Sequence, residues 1–344
     1  MLNEETVSNY LMKIYLITLL ILVYAIVISA QNSPRPRCCD KTKPELSYPL
    51  KQNTSNYNCI SSQVRSLDSV KSVANTFKTE NNISYTRLAI VGGSSLAFLG
   101  GLYYRLQTAW WKDISGKFHF SYDDRYVKNI DKLGHFYGAM LITEGFSLGL
   151  KWAGLEDEPS LLYGGLLSLL VYTGIEVKDG FAPYWGFDPG DMTGNLFGAF
   201  YPYLQAKVQF LSDFNFKWSY WPSKSPYYSK IDGINQNDQF FSDDYEGQTF
   251  WLSINVKNYF PESIKSFWPD FLNIAGGMSV QHLDGHGNGD YVFIISPDID
   301  FQKLFKTKNT FLNSLFHYLN YIHFPLPAIQ VSPDFKGYVI YLNP

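Results

Sequence analysis

Apolar residues in this chain follow two regimes: long runs punctuated by glycine up to about residue 206, and short alternating stretches from about residue 250 onward. The first run, Ile14 to Ile28, follows Lys13 and ends in Ser29-Ala30-Gln31, the pattern of an export signal (residues 1–30) cleaved after Ala30. Because Glu4 and Glu5 offset Lys13, an uncleaved anchor is the alternative. Residues 31–82 then turn to Ser, Asn, Thr, Lys and Pro with scattered apolar positions, which predicts a disordered polar tail.

Leu88 to Tyr104 is the next run, spaced by Gly92-Gly93 and Gly100-Gly101. As a helix it reaches roughly 25 Å, slightly short of a comfortable membrane span. Phe118, Phe120 and Tyr122 alternate like one short strand. Phe136 to Trp152 and Leu161 to Ile175 flank Glu156-Asp157-Glu158-Pro159, a stop and a fresh start, and predict an antiparallel helical hairpin. A further helix starts near Pro189, a residue suited to a first turn, and carries Gly190, Gly194 and Gly198 at intervals of four. Small residues at such spacing let helices approach closely.

Beyond Pro202 the character changes. Trp218, Trp221, Pro222, Pro226, Tyr227 and Tyr228 mark an aromatic connector over residues 207–249. Phe250, Leu252, Ile254 and Val256 then alternate with Trp251, Ser253, Asn255 and Lys257, while Leu272 to Val280 and Tyr291 to Ser296 flank a Gly/Asp/Asn-rich turn, and Tyr338 to Leu342 reads as a last strand. The pattern therefore predicts an α+β chain, a Gly-rich apolar helical bundle over residues 83–206 followed by an antiparallel β part over residues 250–344. Closure into an outer-membrane barrel needs more strands than are visible, so a partial sheet covering the helices is the expectation.

Charge and composition narrow the partners. Lys and Arg number 28 against 31 Asp and Glu, a formal charge of -3 without a basic stripe, which argues against a nucleic acid. Aromatic residues make up 17%, and such side chains favour boundaries that are apolar on one side and wet on the other. Membrane lipid or envelope proteins are the expected partners. Cys38, Cys39 and Cys59 all precede the apolar region; one disulfide from Cys59 to either neighbour fits an oxidising compartment, and their spacing matches no usual zinc pattern.

The candidate chemistry is a polar thread through the most apolar third: Asp131-Lys132-Leu133-Gly134-His135, then Glu176-Val177-Lys178-Asp179, then Asp188-Pro189-Gly190-Asp191 and Asn195. Charged groups in such a setting are costly unless paired, hydrogen-bonded or metal-bound. Asp131 and His135 fall four apart on one helix face, and Glu176 and Asp179 three apart on the next. Closing the hairpin brings the start of one helix to the end of the other, and with them five carboxylates, an imidazole and an amide. Five carboxylates cannot all stay ionised in a dry pocket without cations. Lys132 and Lys178 supply two, and a divalent metal is the third source. Oxygen-rich ligation with a single His suits Mg, Mn or Ca better than Zn, with Asp179, Asp188 and Asp191 as candidate ligands and His135 or Glu176 as a catalytic base. The bland reading of the same residues is a network of helix caps and interhelical hydrogen bonds, Asp131 or Asp188 capping a helix start.

Asp131-Lys132-x-x-His135-Phe136, Glu176-x-Lys178-Asp179 and Asp188-x-x-Asp191-x-x-x-Asn195-x-x-Gly198 together resemble the YfiM-like family, a domain of unknown function among periplasmic or outer-membrane lipoproteins. They are also similar to the plan of the VanZ-like membrane proteins. The resemblance covers about Ile130 to Tyr203 and implies an envelope location and a helical core, with no reaction to carry over. The chain departs from the lipoprotein pattern in that Cys38 and Cys39 follow Pro-Arg-Pro-Arg in place of a short apolar signal. Two readings result: an uncharacterised, membrane-associated cell-envelope protein with a non-catalytic structural or assembly role, or a metal-assisted enzyme acting on a lipid or cell-wall precursor.

Other candidates weigh less. His282, Asp284, His286, Asn288 and Asp290 crowd a loop where turn chemistry already explains Asp, Asn and Gly. Ser94-Ser95 lacks the Gly-x-Ser-x-Gly setting of a nucleophile elbow.

Overall fold

A computed structural model describes residues 83–111, 116–122, 126–223, 241–284 and 287–344. The export signal, the polar tail, the three cysteines, His286 and the Pro226-Tyr227-Tyr228 part of the connector lie outside the described residues.

Four helices form the first half: α1 (Tyr85–Ala109), α2 (Asp131–Trp152), α3 (Asp157–Asp179) and α4 (Pro189–Lys207). Local chemistry sets their starts. Ser84 caps α1 by accepting from the Arg87 N–H, and Asp188 caps α4 by accepting from the Gly190 N–H at 2.7 Å, with Pro189 in the first turn. Glycine sets how closely α2, α3 and α4 approach. A Cβ on Gly164 would lie 2.7 Å from the Thr143 carbonyl of α2, and one on Gly194 would lie 2.7 Å from the Lys132 carbonyl. Backbone therefore meets backbone, and buried hydroxyls bridge it: Thr143 donates to the carbonyls of Ala139 and Ala199, and Ser168 donates to that of Ala139. Among the described residues one helix, α3, is long and apolar enough to cross a membrane, and half of that apolar window is buried within the fold.

The second half is an antiparallel meander, β1 (Phe214–Tyr220), β2 (Gln248–Ile254), β3 (Leu272–Gln281), β4 (Asp290–Ile299), β5 (Ala328–Ser332) and β6 (Lys336–Tyr338), with neighbours in the sheet following chain order. The chain is thus α+β as its pattern predicts, with four differences in detail. β1 lies inside the stretch read as a connector. Short helices α5 (Glu262–Lys265), α6 (Phe301–Leu304) and α7 (Thr310–Leu319) interrupt the β region. The last strand ends at Tyr338, because Tyr341 folds back to bury its ring edge-on to Trp251. The expected strand at Phe118 to Tyr122 is reduced to one parallel bridge, Phe120 to Phe187.

One sheet face packs on the helices: Phe216, Trp218 and Phe250 join Phe136, Tyr137 and Met140 of α2 in a common core with Tyr201 of α4. The other face holds Trp251, Ala275, Val292, Ile294 and Ala328. The free edge of β1 is covered by residues 321–323, where the Trp218 N–H donates to the Tyr321 carbonyl and the His323 N–H donates to that of Trp218. On the same face as Phe250 but farther along the sheet, at β4 and β5, Phe293, Ile295, Ile329 and Val331 stand exposed.

Candidate functional site

The residues leading into α2 adopt an unusual backbone: Val127, Lys128 and Asn129 have φ of 37, 60 and 61°. Three consecutive non-glycine residues in the left-handed region are costly, and this turn persists because Val127 is buried in the helix–sheet core and the Tyr291 hydroxyl holds the Lys128 carbonyl at 2.8 Å. The turn delivers Asp131, Lys132 and His135 at the start of α2. Antiparallel packing sets them beside the end of α3, with Glu176 and Asp179, and the start of α4, with Asp188, Asp191 and Asn195.

Lys132 is the hub on the outer side. Its Nζ lies 3.3 Å from Asp131, 3.1 Å from Asp188 and 3.1 Å from Asp191. Burial works against its charge, yet the Asp131 and Asp191 carboxylates outweigh it and hold the ammonium above the usual lysine range. His135 is the hub on the inner side. Its Nδ1 lies 3.1 Å from Asn195 Oδ1 and 3.4 Å from Glu176 Oε1, and its Nε2 3.6 Å from Asp191 Oδ2. Glu176 is fully enclosed and accepts from Asn195 Nδ2 at 3.3 Å and from the Asp188 N–H at 3.4 Å.

The other two predicted residues turn elsewhere. Asp179 accepts from the Trp111 indole N–H at 2.6 Å, and Lys178 places its ammonium over the rings of Trp111 and Tyr103, 5.4 and 5.7 Å from their centroids. Burial lowers the Lys178 pKa. One lysine therefore meets the carboxylates directly, which leaves the cluster acidic. Burial, reinforced by the charges of Asp179 and Asp191, pushes the Glu176 carboxyl up to about 9. Burial also takes Asp179 to about 7 against the pull of the Trp111 hydrogen bond, and takes Asp131 to about 7, with Asp191 adding and Lys132 opposing. Asp131 Oδ1 is buried without a hydrogen-bond partner among the described residues.

The group capable of holding an ion is His135, Glu176 and Asp191, one from each helix, with ligand atoms all within 4.8 Å of one another. Of the three carboxylates proposed as ligands from sequence, Asp191 belongs to this set; Asp188 is occupied as the α4 cap and a Lys132 partner, and Asp179 by Trp111. The cluster opens on a cleft of about 110 Å³, bordered by Asp131, His135, Asp188 and Asp191 and walled by Trp110, Tyr126, Tyr184, Trp185 and Tyr245. These aromatic walls carry no sequence signature of a site. The Trp110-Trp111 pair is conspicuous in the chain, but nothing local connects it to Asp179, 68 residues away.

Residues 116–207 match the family described as predicted periplasmic lipoprotein (DUF2279). That match covers about a quarter of the chain, ends with the last residue of α4 and includes all nine residues of the polar thread. The description is consistent with an exported protein of the cell envelope and with unknown function. No curated protein and no solved structure matches the chain.

The loop at His282 to Asp290 shows turn chemistry: Asp284 accepts from the Asn288 N–H at 3.0 Å, and exposed His282 pairs with Asp290 at 2.9 Å. Ser94 sits within α1 and donates to the Val91 carbonyl.

Proposed function

We propose that this envelope protein is a metal-assisted enzyme whose divalent cation is held by His135, Glu176 and Asp191 at the wall of the aromatic cleft. The observation that carries the reading is the convergence of those three ligand atoms from three separate helices beside open space. Two carboxylates and one imidazole suit Mn, Mg or Ca, and three protein ligands leave coordination positions for water and substrate. When bound, such a cation would supply Lewis acidity toward a water and a phosphoryl or acyl oxygen, and Glu176 would hold it as the carboxylate. Asp179, which lines the same cleft and whose pKa burial raises, is the candidate base, a role the sequence offered to His135 or Glu176.

The cation, with Lys132 already held by three carboxylates, would be the group that attracts an anionic substrate, and an envelope location directs the choice to a phosphate-bearing lipid or cell-wall precursor. The exposed stripe of Phe293, Ile295, Ile329 and Val331 supports placing the protein against lipid. The YfiM-like and VanZ-like motif plan belongs to the same reading, since its Asp-Lys-x-x-His and Asp-x-x-x-Asn elements supply most of the cluster.

One observation favours a second reading. Lys132 bridges three carboxylates and Asn195 links His135 to Glu176, so the same residues form a connected network that locks three helix ends together without metal. Metal content of the full chain purified without chelators separates the two. Near-stoichiometric Mn, Mg or Ca, lost in both Asp191→Asn and His135→Ala while each variant stays folded, is the expected result. A metal-free, folded wild-type protein that gains no thermal stability from added divalent cations overturns it in favour of the structural network.

A further inference from the structure

A second and larger cleft lies on the far side of the molecule's helix–sheet junction, formed by the later turns of α2 and α4, the start of β1, and α6 and α7. Its volume is about 330 Å³, within the range of small-molecule sites, roughly 300–1,000 Å³. None of the polar thread lines it, so it is separate from the cation site and independent of that reading.

Two features define what fits. The first is charge. Glu144, Asp213 and Asp300 are matched by Lys151, Lys217 and Lys303 along the wall, and most are already paired: Lys217 with Asp298 at 2.7 Å, Lys303 with Asp300 at 3.3 Å, Lys151 with Asp157 at 3.1 Å, Glu144 with His317 at 3.3 Å. Asp213 takes hydrogen bonds from Asn255, Asn258 and Tyr259 instead, so each charge on the wall is already paired or hydrogen-bonded and none is left free for a charged ligand. The second is a concentration of carboxamides: Gln205, Asn215, Asn255, Asn273, Gln302 and Asn320. Each nitrogen already donates to the protein. Asn215 donates to the Asn320 carbonyl, Asn255 to Asp213, Asn273 to Ser253, Gln205 to the Phe214 carbonyl, Gln302 to Asn313 and Asn320 to Asp300. Their oxygens are mostly uncommitted: among the described residues only that of Asn320 accepts, from the Phe301 N–H at 2.7 Å. Asn273, 6% exposed, keeps its Oδ1 buried with no hydrogen-bond partner among the described residues, a state that costs free energy until a donor arrives.

The wall therefore offers fixed, oriented acceptors in a neutral field. We propose that this cleft binds a neutral, hydroxyl-rich ligand of the saccharide class, its hydroxyl groups donating to the carboxamide oxygens of Gln205, Asn215, Asn255 and Gln302. An amine or metal cation would also find acceptors there, but the carboxylates that could neutralise it are already paired or hydrogen-bonded. Phosphate would find the lysines occupied. A sugar hydroxyl both donates and accepts, so it can serve the carboxamide oxygens and accept from the second amide hydrogen of Asn215 and Asn255.

Titration calorimetry on the full chain tests this with glucose, galactose, N-acetylglucosamine and N,N′-diacetylchitobiose, beside spermidine and inorganic phosphate. At least one neutral sugar is expected to bind with Kd of about 1 mM or tighter, and Gln302→Leu and Asn255→Leu are each expected to weaken it by about tenfold. Gln302 sits half-buried on a four-residue helix and its amide bonds only Asn313 of α7, so its loss is expected to leave folding intact and keeps the test meaningful if Asn255→Leu is unstable. Asp191→Asn is expected to leave sugar binding unchanged, which keeps the result separate from the cation site. No binding by any of the four sugars overturns the proposal. So does tighter binding of spermidine or phosphate than of every sugar, or sugar binding that survives Gln302→Leu at full strength.

Discussion

Two buried polar groups stand on opposite parts of this molecule, and they solve the problem of burial differently. In the sheet, Lys217 and Asp298 are both almost fully enclosed and pair at 2.7 Å; Ser253 donates to Asp298 at 2.6 Å, Asn273 to Ser253, and Lys217 also to the Ile299 carbonyl. Charges balance one to one, and Asp298, Lys217 and Ser253 each hydrogen-bond within the group. Among the helix ends, one lysine faces three carboxylates directly and Glu176 is left to keep a proton. The balanced group behaves as structure. The unbalanced group, at the edge of a cleft, behaves as a place waiting for positive charge. Burial and hydrogen bonding are common to both, so charge excess is what separates a ligand-ready cluster from a packing device.

The largest expected effect breaks the balance in the sheet. Asp298→Ala leaves the Lys217 ammonium buried without its partner and is expected to cost about 3–5 kcal/mol, read by urea unfolding. The paired replacement Lys217→Met with Asp298→Leu is expected to recover most of that. A cost for Asp298→Ala below about 1 kcal/mol, the level of an exposed pair, would show that the sheet group is not the closed ion pair described.

His323 sharpens the same side of the comparison. Its ring stacks on Trp251 with centroids 3.8 Å apart, and its Nε2 lacks a hydrogen bond. Burial, with Lys217 adding and Asp298 opposing, lowers its pKa from 6.5 to about 4. As pH falls, the unfolded chain takes up this proton first, so the contribution is complete above about 6.5 and lost progressively toward about 4. The loss is expected to be roughly 3 kcal/mol. His323→Phe keeps the stack and should flatten that part of the stability profile; an unchanged slope would assign it to other groups.

Glu176 should behave with the opposite sign. Its pKa is raised from 4.5 to about 9, so the folded, metal-free protein holds a proton that the unfolded chain releases. Stability from this group is complete below about 4.5 and lost as pH rises toward about 9. Glu176→Gln, which mimics the protonated acid, is therefore expected to stabilise the metal-free protein at about pH 6 by on the order of 2 kcal/mol. It is also expected to abolish stabilisation by added Mn or Mg. Destabilisation by Glu176→Gln at that pH would mean that the carboxylate is already satisfied as an anion, and the contrast between the two groups would fail.

How much of this was legible in the chain follows the reach of the interactions. The α4 start was readable because Asp188, Pro189 and Gly190 act within one turn, and the shared face of Asp131 and His135 because helical spacing is local. The α2–α3 hairpin followed from its acidic, proline-marked break. β1 was not readable: Lys217 interrupts its apolar pattern, and only the distant Asp298 makes a lysine acceptable there. The orientation of Lys178 was hidden for the same reason, since two aromatic rings from the region of α1 draw it away from the carboxylates. Which three of the clustered groups face one another depends on helix rotation, and glycine contacts between backbones set that rotation across the bundle.

Trp111 offers the smallest and most selective probe of the unbalanced group. It is buried, and its indole N–H is the hydrogen bond that holds the Asp179 carboxyl down against burial. Trp111→Phe keeps an aromatic ring in the site but removes the donor, so the Asp179 pKa is expected to climb above about 7, with a stability loss of about 1–2 kcal/mol from the lost hydrogen bond to a charged group. Carboxyl titration followed by infrared or carbon NMR reads the shift. If Asp179 is the base, the acid limb of any metal-dependent activity should move to higher pH by the same amount while metal content stays constant. A variant with the shifted carboxyl and an unmoved pH profile would keep the electrostatics intact and remove Asp179 from the chemistry, returning that role to His135 or to metal-bound water alone.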